Sequence, residues 1–240
     1  MTGVSYDKAD LTIEVDGLDE VARELGGLYR KTPAAAKTAI NATARAARKL
    51  MMAKAKARYA VNAKGQARLK ELKQRQKATN RSLTAELHIR SLRNDLGYFD
   101  TRPAVPTHFT GGAWRHGPDV FQGRVLRESG LKRLDGGRNE RGLPVGKAFL
   151  AEFRSEHIGM VQRVIGSSSE HTVTEKGFPR WRTKDGRVEK LVTVGSPSAA
   201  AMHKTIWPMV RPEAEEILQR ELVARARRIV ERAELKQVKR

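Results

Sequence analysis

The chain contains no cysteine. Disulfide frameworks, thiolate metal sites and cysteine nucleophiles are excluded, and a chain without thiols fits a reducing cytoplasm. Aromatic residues are 5% of the 240 and apolar residues 39%. That is a thin core for the length, so part of the apolar surface is expected to be covered only by partners. No run approaches the roughly 18 apolar residues that a spanning helix needs, and the opening Met1-Thr2-Gly3-Val4-Ser5-Tyr6-Asp7 is polar and acidic, unlike a secretory leader. Acids are scarcest between Lys31 and Arg93, where 17 lysines and arginines face two acids, Glu71 and Glu86, a net of +15 in a chain of +20. The first 30 residues are the reverse, with seven acids and three bases, a net of −4.

No catalytic constellation competes with this charge block. The histidines, His88, His108, His116, His157, His171 and His203, show no metal-ligand spacing, and Gly111-Gly112 and Gly136-Gly137 fit neither phosphate-cradling glycine pattern. His108 and His116 flank a Gly-rich loop, and Asp95, Asp100 and Asp119 fall in loop-like sequence without supporting spacing. The chain reads as a non-enzyme without cofactor or metal. Trp114, Phe121, Trp181 and Trp207 suit either a core or an oligomer interface.

Periodicity gives the architecture. Residues 10–15 alternate as a short strand closed by Asp16-Gly17. Leu18 to Tyr29 reads as a helix with Leu18, Val21, Leu25 and Leu28 on one face. Thr32-Pro33 is a helix start, and Ala34 to Asn62, Ala-rich and free of Gly and Pro, predicts a long helix whose inner side is Ala36, Ile40, Ala44, Ala47 and Leu50 or Met51. Arg45, Arg48 and Lys49 are expected to project mostly elsewhere. Residues 63–80, with Leu69 and Leu72, fit helix or strand. Ser82–Ser91 alternates as a half-buried strand, Phe149–Ile165 as a hairpin turning at 155–157, and Phe178–Arg182 with Val188–Val194 as a ribbon. The Gly- and Pro-rich span 100–147 reads as a long loop. Ser196-Pro197-Ser198 caps a helix from Ala199 to Trp207, Pro208 interrupts it, and a last amphipathic helix runs from Pro212 to Val238 on Ile217, Leu218, Leu222, Val223, Ala226, Ile229, Val230 and Ala233. The expectation is one α+β domain over 1–240: a long Ala-rich helix and a C-terminal amphipathic helix packed on a small, mostly antiparallel sheet, with long loops and a basic helix at 212–240.

A charge run is usually a solvated helix face, but such a face normally carries glutamates three or four positions from its bases, and here they are nearly absent. The alternatives are nucleic acid and an acidic protein partner. Tyr59 is the only aromatic between 31 and 93, so stacking on single-stranded bases is disfavoured. Without a base-reading motif, contact would go to the phosphate backbone. The candidates to face DNA are Lys54, Lys56, Arg58, Lys64, Arg68, Lys70, Lys73, Arg75 and Lys77.

The order of segments resembles the prophage minor tail protein Z family of tailed bacteriophages and, more distantly, tail-completion and head–tail joining proteins. The resemblance rests on Gly17-Leu18-Asp19-Glu20-Val21-Ala22-Arg23-Glu24-Leu25, Pro33-Ala34-Ala35-Ala36, Ala39-Ile40-Asn41-Ala42-Thr43-Ala44, Phe149-Leu150-Ala151 and Ser155 through Arg163. It implies a virion structural protein at the head-proximal end of the tail, assembled in the host cytoplasm as a ring, with six copies around the DNA channel. Its implied partners are itself, tail tube or terminator proteins, head-connector proteins and backbone contacts to genomic DNA, with no membrane. A free-standing, sequence-nonspecific nucleic-acid-binding protein is the competing expectation.

Overall fold

The structure, a computed structural model, describes residues 2–7, 10–15, 22–23, 25–89, 94–104, 109–110, 113–114, 120–153, 158–167, 180–182 and 188–238. It is α+β, as the sequence predicts. The span read as one domain packs as two compact units. The first comprises Met1–Lys56, Ala67–Leu92 and Ser198–Arg240, the second Ala57–Gln66 and Arg93–Pro197.

The first unit holds an antiparallel sheet of β1 (Thr2–Asp7), β2 (Asp10–Val15), β3 (Lys73–Gln76) and β4 (Thr84–His88) in the order β1-β2-β4-β3. The strand read at 10–15 is β2. Its hairpin partner β1 was not anticipated. In β4, Ala85 and Leu87 are buried between half-exposed Thr84, Glu86 and His88, the alternation expected of a sheet with one covered face. Asp16-Gly17 and residues 18–21 lie outside the described residues. The helix expected through Tyr29 gives way at Gly26, whose φ of +50° is the left-handed conformation that ends helices. A 3-10 turn, Gly26–Lys31, follows.

Helix α1 (Thr32–Arg58) starts where predicted and buries Thr32, Ala35, Ala36, Ala39, Ile40, Thr43, Ala44, Ala47, Met51 and Ala55, one face at spacings of three and four. It ends four residues before Asn62. Tyr59 and Val61 leave the helix to pair with Leu126 and Phe99, exchanging local hydrogen bonds for burial in the second unit. The ambiguous span 63–80 divides into helix α2 (Ala63–Leu69) and edge strand β3.

Helix α3 (Ala199–Val238) corrects the sequence reading, because it runs through both Pro208 and Pro212. Each proline removes a backbone donor and costs about 3 kcal/mol in a helix interior. Burial of Ile206, Trp207, Val210, Ala214 and Leu218 on either side of them offsets that cost. Ser198 caps the helix, its Oγ accepting from Ala201 N at 3.1 Å.

The second unit is built from short pairings: β5 (Asn94–Asp95), β6 (Asp100–Arg102), β7 (Phe109–Thr110), β8 (Ala113–Trp114), β9 (Gln122–Arg124), β10 (Lys132–Arg133), β11 (Gly137–Arg138), β12 (Pro144–Val145), β13 (Phe149–Glu152), β14 (Ile158–Arg163), β15 (Arg180–Arg182), β16 (Val188–Thr193) and β17 (Gly195–Ser196). The expected hairpin is β13–β14 and the expected ribbon β15–β16, joined as one antiparallel sheet in the order β13-β14-β16-β15. The turn expected at 155–157 lies outside the described residues. The expected loop at 100–147 instead carries β6 to β12, whose two- and three-residue strands are too short to show a period.

Two side chains bind this unit together. Asn62 caps α2 through Oδ1, which accepts from Gly65 N at 3.0 Å, while its Nδ2 donates to Gly97 O at 2.7 Å. Buried Asp95 accepts from Gly97 N at 2.6 Å and Met160 N at 3.4 Å. The Asn62 contact brings α2 so close to Tyr98 that a Cβ at Gly65 would overlap the Tyr98 carbonyl oxygen. Gly65→Ala is expected to destabilise the protein by about 2 kcal/mol, whereas Gly130→Ala, where a Cβ meets nothing, should leave the thermal melt unchanged.

Candidate nucleic-acid interface

The nine sequence-selected cations do not share one unit. Lys54, Lys56, Arg68, Lys70, Lys73, Arg75 and Lys77 belong to the first, Arg58 and Lys64 to the second. Within the first, Lys54 lies near the end of α1, Lys56 and Arg68 are half-buried, and Lys70, Lys73, Arg75 and Lys77 are exposed along the turn after α2, β3 and the residue beyond it. Arg68 pairs with Glu71 at 3.2 Å. Among the described residues none of Lys54, Lys70, Lys73, Arg75 or Lys77 has an acidic partner. Arg58 and Lys64, in the second unit, are exposed and have no acidic partner among the described residues either.

The backbone under the run 70–78 is held by side chains of α1. Asn41 Nδ2 donates to Ala78 O at 3.0 Å, and its Oδ1 accepts from Ala78 N at 3.1 Å and from Gln74 Nε2 at 3.1 Å. One amide thus satisfies both backbone groups of Ala78, as a paired strand would. Arg48 Nε donates to Leu72 O at 2.5 Å and Nη2 to Lys70 O at 3.3 Å. Arg48 was expected to project outward with the other basic residues of α1; it is instead half-buried and structural. Its partners lie 24 and 22 residues along the chain, beyond the reach of a local pattern, whereas Arg45 is exposed. The register also explains the split of roles on β3. Gln74 lies opposite buried Leu87, on the covered face, and Lys73 opposite His88, on the other. A bulge between Gln74 and Gln76 sets Arg75 outside the ladder. The geometry suits contact with a linear array of anions through charge alone, without base readout.

Two of the three loop acids, Asp95 and Asp100, are engaged elsewhere than in a metal cluster. Asp95 is buried in backbone hydrogen bonds, and Asp100 holds Arg124 Nε at 2.6 Å. Asp119, and with it His108, His116, His157 and His171, lies outside the described residues. Among the described residues no group of three or more His, Asp or Glu is placed to hold a metal ion. Phe121 and Trp207 are core residues, 3% and 7% exposed. The side chains of Trp114 and Trp181 lie outside the described residues.

His203 is a structural residue that its spacing betrays: it shares the apolar face of Ala199, Met202, Ile206 and Val210. It is fully buried, with Nε2 3.3 Å from Leu69 O and Nδ1 without a partner among the described residues. Leu69 O can only accept, so Nε2 carries the proton. Burial pushes the pKa of His203 from 6.5 down to about 4, against the opposing backbone hydrogen bond.

Two consequences are measurable. Arg48→Met leaves the Lys70 and Leu72 carbonyls without that partner and is expected to cost about 1–3 kcal/mol, while Arg45→Met, at an exposed and unpaired site, should stay within about 0.5 kcal/mol of wild type in denaturant titrations. For His203 the folded pKa lies below the unfolded one, so the unfolded chain binds the extra proton between pH 6.5 and 4. The stability from neutral His203 is complete above about 6.5 and falls by on the order of 3 kcal/mol as pH drops toward 4. His203→Gln keeps a donor near Leu69 O but cannot titrate. The difference between wild-type and variant stability should therefore change with pH across this window; a constant difference would contradict the assignment.

No protein-family model, no curated protein and no solved structure matches the chain.

Proposed function

We propose that the chain is a structural virion protein at the head-proximal end of a bacteriophage tail. It completes the tail and joins it to the head as a ring of copies, six in number, around the DNA channel, with tail terminator or tube and head-connector proteins as neighbours. The reading assigns it no catalysis and no cofactor. Its support is the segment order quoted above, which includes Asn41 within the Ala39–Ala44 motif. One structural observation carries it further: Lys70, Lys73, Arg75 and Lys77 stand exposed, without acidic partners among the described residues, on a backbone clipped in place by Asn41 and Arg48. A wall facing passing DNA needs charge that is fixed in position and indifferent to sequence. The same cations favour a second reading, a free-standing, sequence-nonspecific nucleic-acid-binding protein.

Electron microscopy of a lysate from phage lacking this gene, with infectivity titred alongside, separates the two. Unjoined heads and tails, or joined particles with a defective neck and lost infectivity, are expected. Normal infectious particles would remove the structural reading and leave the nucleic-acid-binding one.

A further inference from the structure

Helix α3 changes character after Ala226, its last buried residue. From Arg227 to Val238 it continues for about 18 Å at 1.5 Å per residue, and none of the described side chains there is buried. Ile229, Val230 and Ala233 are half-buried and the other described side chains exposed, so packing supplies less of this segment's stability than it does earlier in the helix, and local interactions must supply more.

Those local interactions are unfavourable along one side. Arg228, Arg232 and Lys236 recur every four residues, so they stack in a single row and repel one another. Arg232 has Arg228, Ile229, Leu235 and Lys236 three or four positions away, and Lys236 has Arg232, Ala233, Lys239 and Arg240. Neither has an acid at helical contact spacing. Arg228 has Glu231 within reach, yet no ion pair forms between them. All three are exposed and unpaired among the described residues. Earlier in the same helix the opposite arrangement holds, with Arg211 pairing with Glu215 and Arg225 with Glu221, both at 2.8 Å and four residues apart. The helix thus pairs Arg211 and Arg225 in the part before Ala226, where Arg220 is unpaired among the described residues, and leaves a like-charged row at its end.

We propose that the row Arg228-Arg232-Lys236 is a second nucleic-acid site, one that takes the phosphate backbone of a DNA duplex lying along the end of α3. Neighbouring members are about 6 Å apart along the helix, a spacing that lets each cation neutralise a phosphate of a regular polyanion. Bound duplex removes the mutual repulsion that the free helix bears, so binding and helix order reinforce each other. This site is on a different element from the β3 run and needs no part of the tail assignment.

The test is fluorescence anisotropy of the full-length protein on a short duplex DNA of mixed sequence over a range of salt. The forms compared are wild type, an α3 triple variant (Arg228→Gln, Arg232→Gln, Lys236→Gln) and a β3-run triple variant (Lys73→Gln, Arg75→Gln, Lys77→Gln). The α3 variant should bind about tenfold or more weaker at moderate salt, and its plot of log K against log salt should be shallower by about 2–3. Its helical circular dichroism should be equal to or greater than that of wild type, which excludes unfolding as the cause. A wild type that does not bind duplex would overturn the proposal, as would an unchanged slope in the α3 variant. Loss confined to the β3-run variant would overturn it too, while leaving that run as the contact. The same variants on phosphatidylserine vesicles give a further arm: vesicle binding lost in the α3 variant with duplex binding intact would assign the row to a lipid surface and refute the proposal. Particle morphology in gene-deleted lysates judges the tail reading independently.

Discussion

The first unit depends on how near α1 comes to the backbone of residues 70–78. Alanine makes that approach possible. Six of the ten buried positions of α1 are Ala35, Ala36, Ala39, Ala44, Ala47 and Ala55, and a face of methyl groups lets a short side chain such as Asn41 span from helix to strand. Asn41 supplies both hydrogen bonds of Ala78, and Arg48 collects the carbonyls of Lys70 and Leu72. A bulkier face would hold the helix off and leave those backbone groups to water. Structural polar work is thereby assigned to one amide and one guanidinium, and the remaining cations of the run are released from it.

What the sequence revealed follows the range of the interactions involved. The α1 face, the alternation of β4 and the β13–β14 hairpin are set by neighbours a few residues away, so a period of 3.6 or 2 displays them. Strand β5 is two residues, Asn94 and Asp95, paired with Ser196 and Gly195 a hundred positions later, and no local pattern encodes such a pairing. The continuity of α3 was hidden for the opposite reason. Pro208 and Pro212 are strong local stop signals, and the burial of Ile206, Trp207, Val210 and Ala214 that overrides them is tertiary. Among the candidate cations, composition identified the exposed run. Outside those candidates it could not single out Arg48, whose partners Lys70 and Leu72 lie 22 and 24 residues along the chain.

Asp95 and His203 are two polar side chains held inside the fold by different means. Asp95 accepts from the backbone donors of Gly97 and Met160, and burial keeps His203 uncharged at neutral pH by disfavouring the imidazolium. Burial thus keeps His203 from adding to the net positive charge, which repels itself.

Not every exposed cation there carries the same information. Lys73 lies on β3, a sheet edge, and a charged, bulged edge strand discourages pairing with other strands, so its charge has a use even in an isolated molecule. Cations in the last turns of α3 are favoured by the helix dipole, which rewards any arrangement of them near the C-terminus. It does not reward placing Arg228, Arg232 and Lys236 on one row. Scattering the same three charges around the helix would keep the dipole term and remove the repulsion. The alignment is therefore the part of the charge pattern that stability within the chain does not explain, and an external anion with a regular spacing is the simplest agent that would turn it from a cost into a gain.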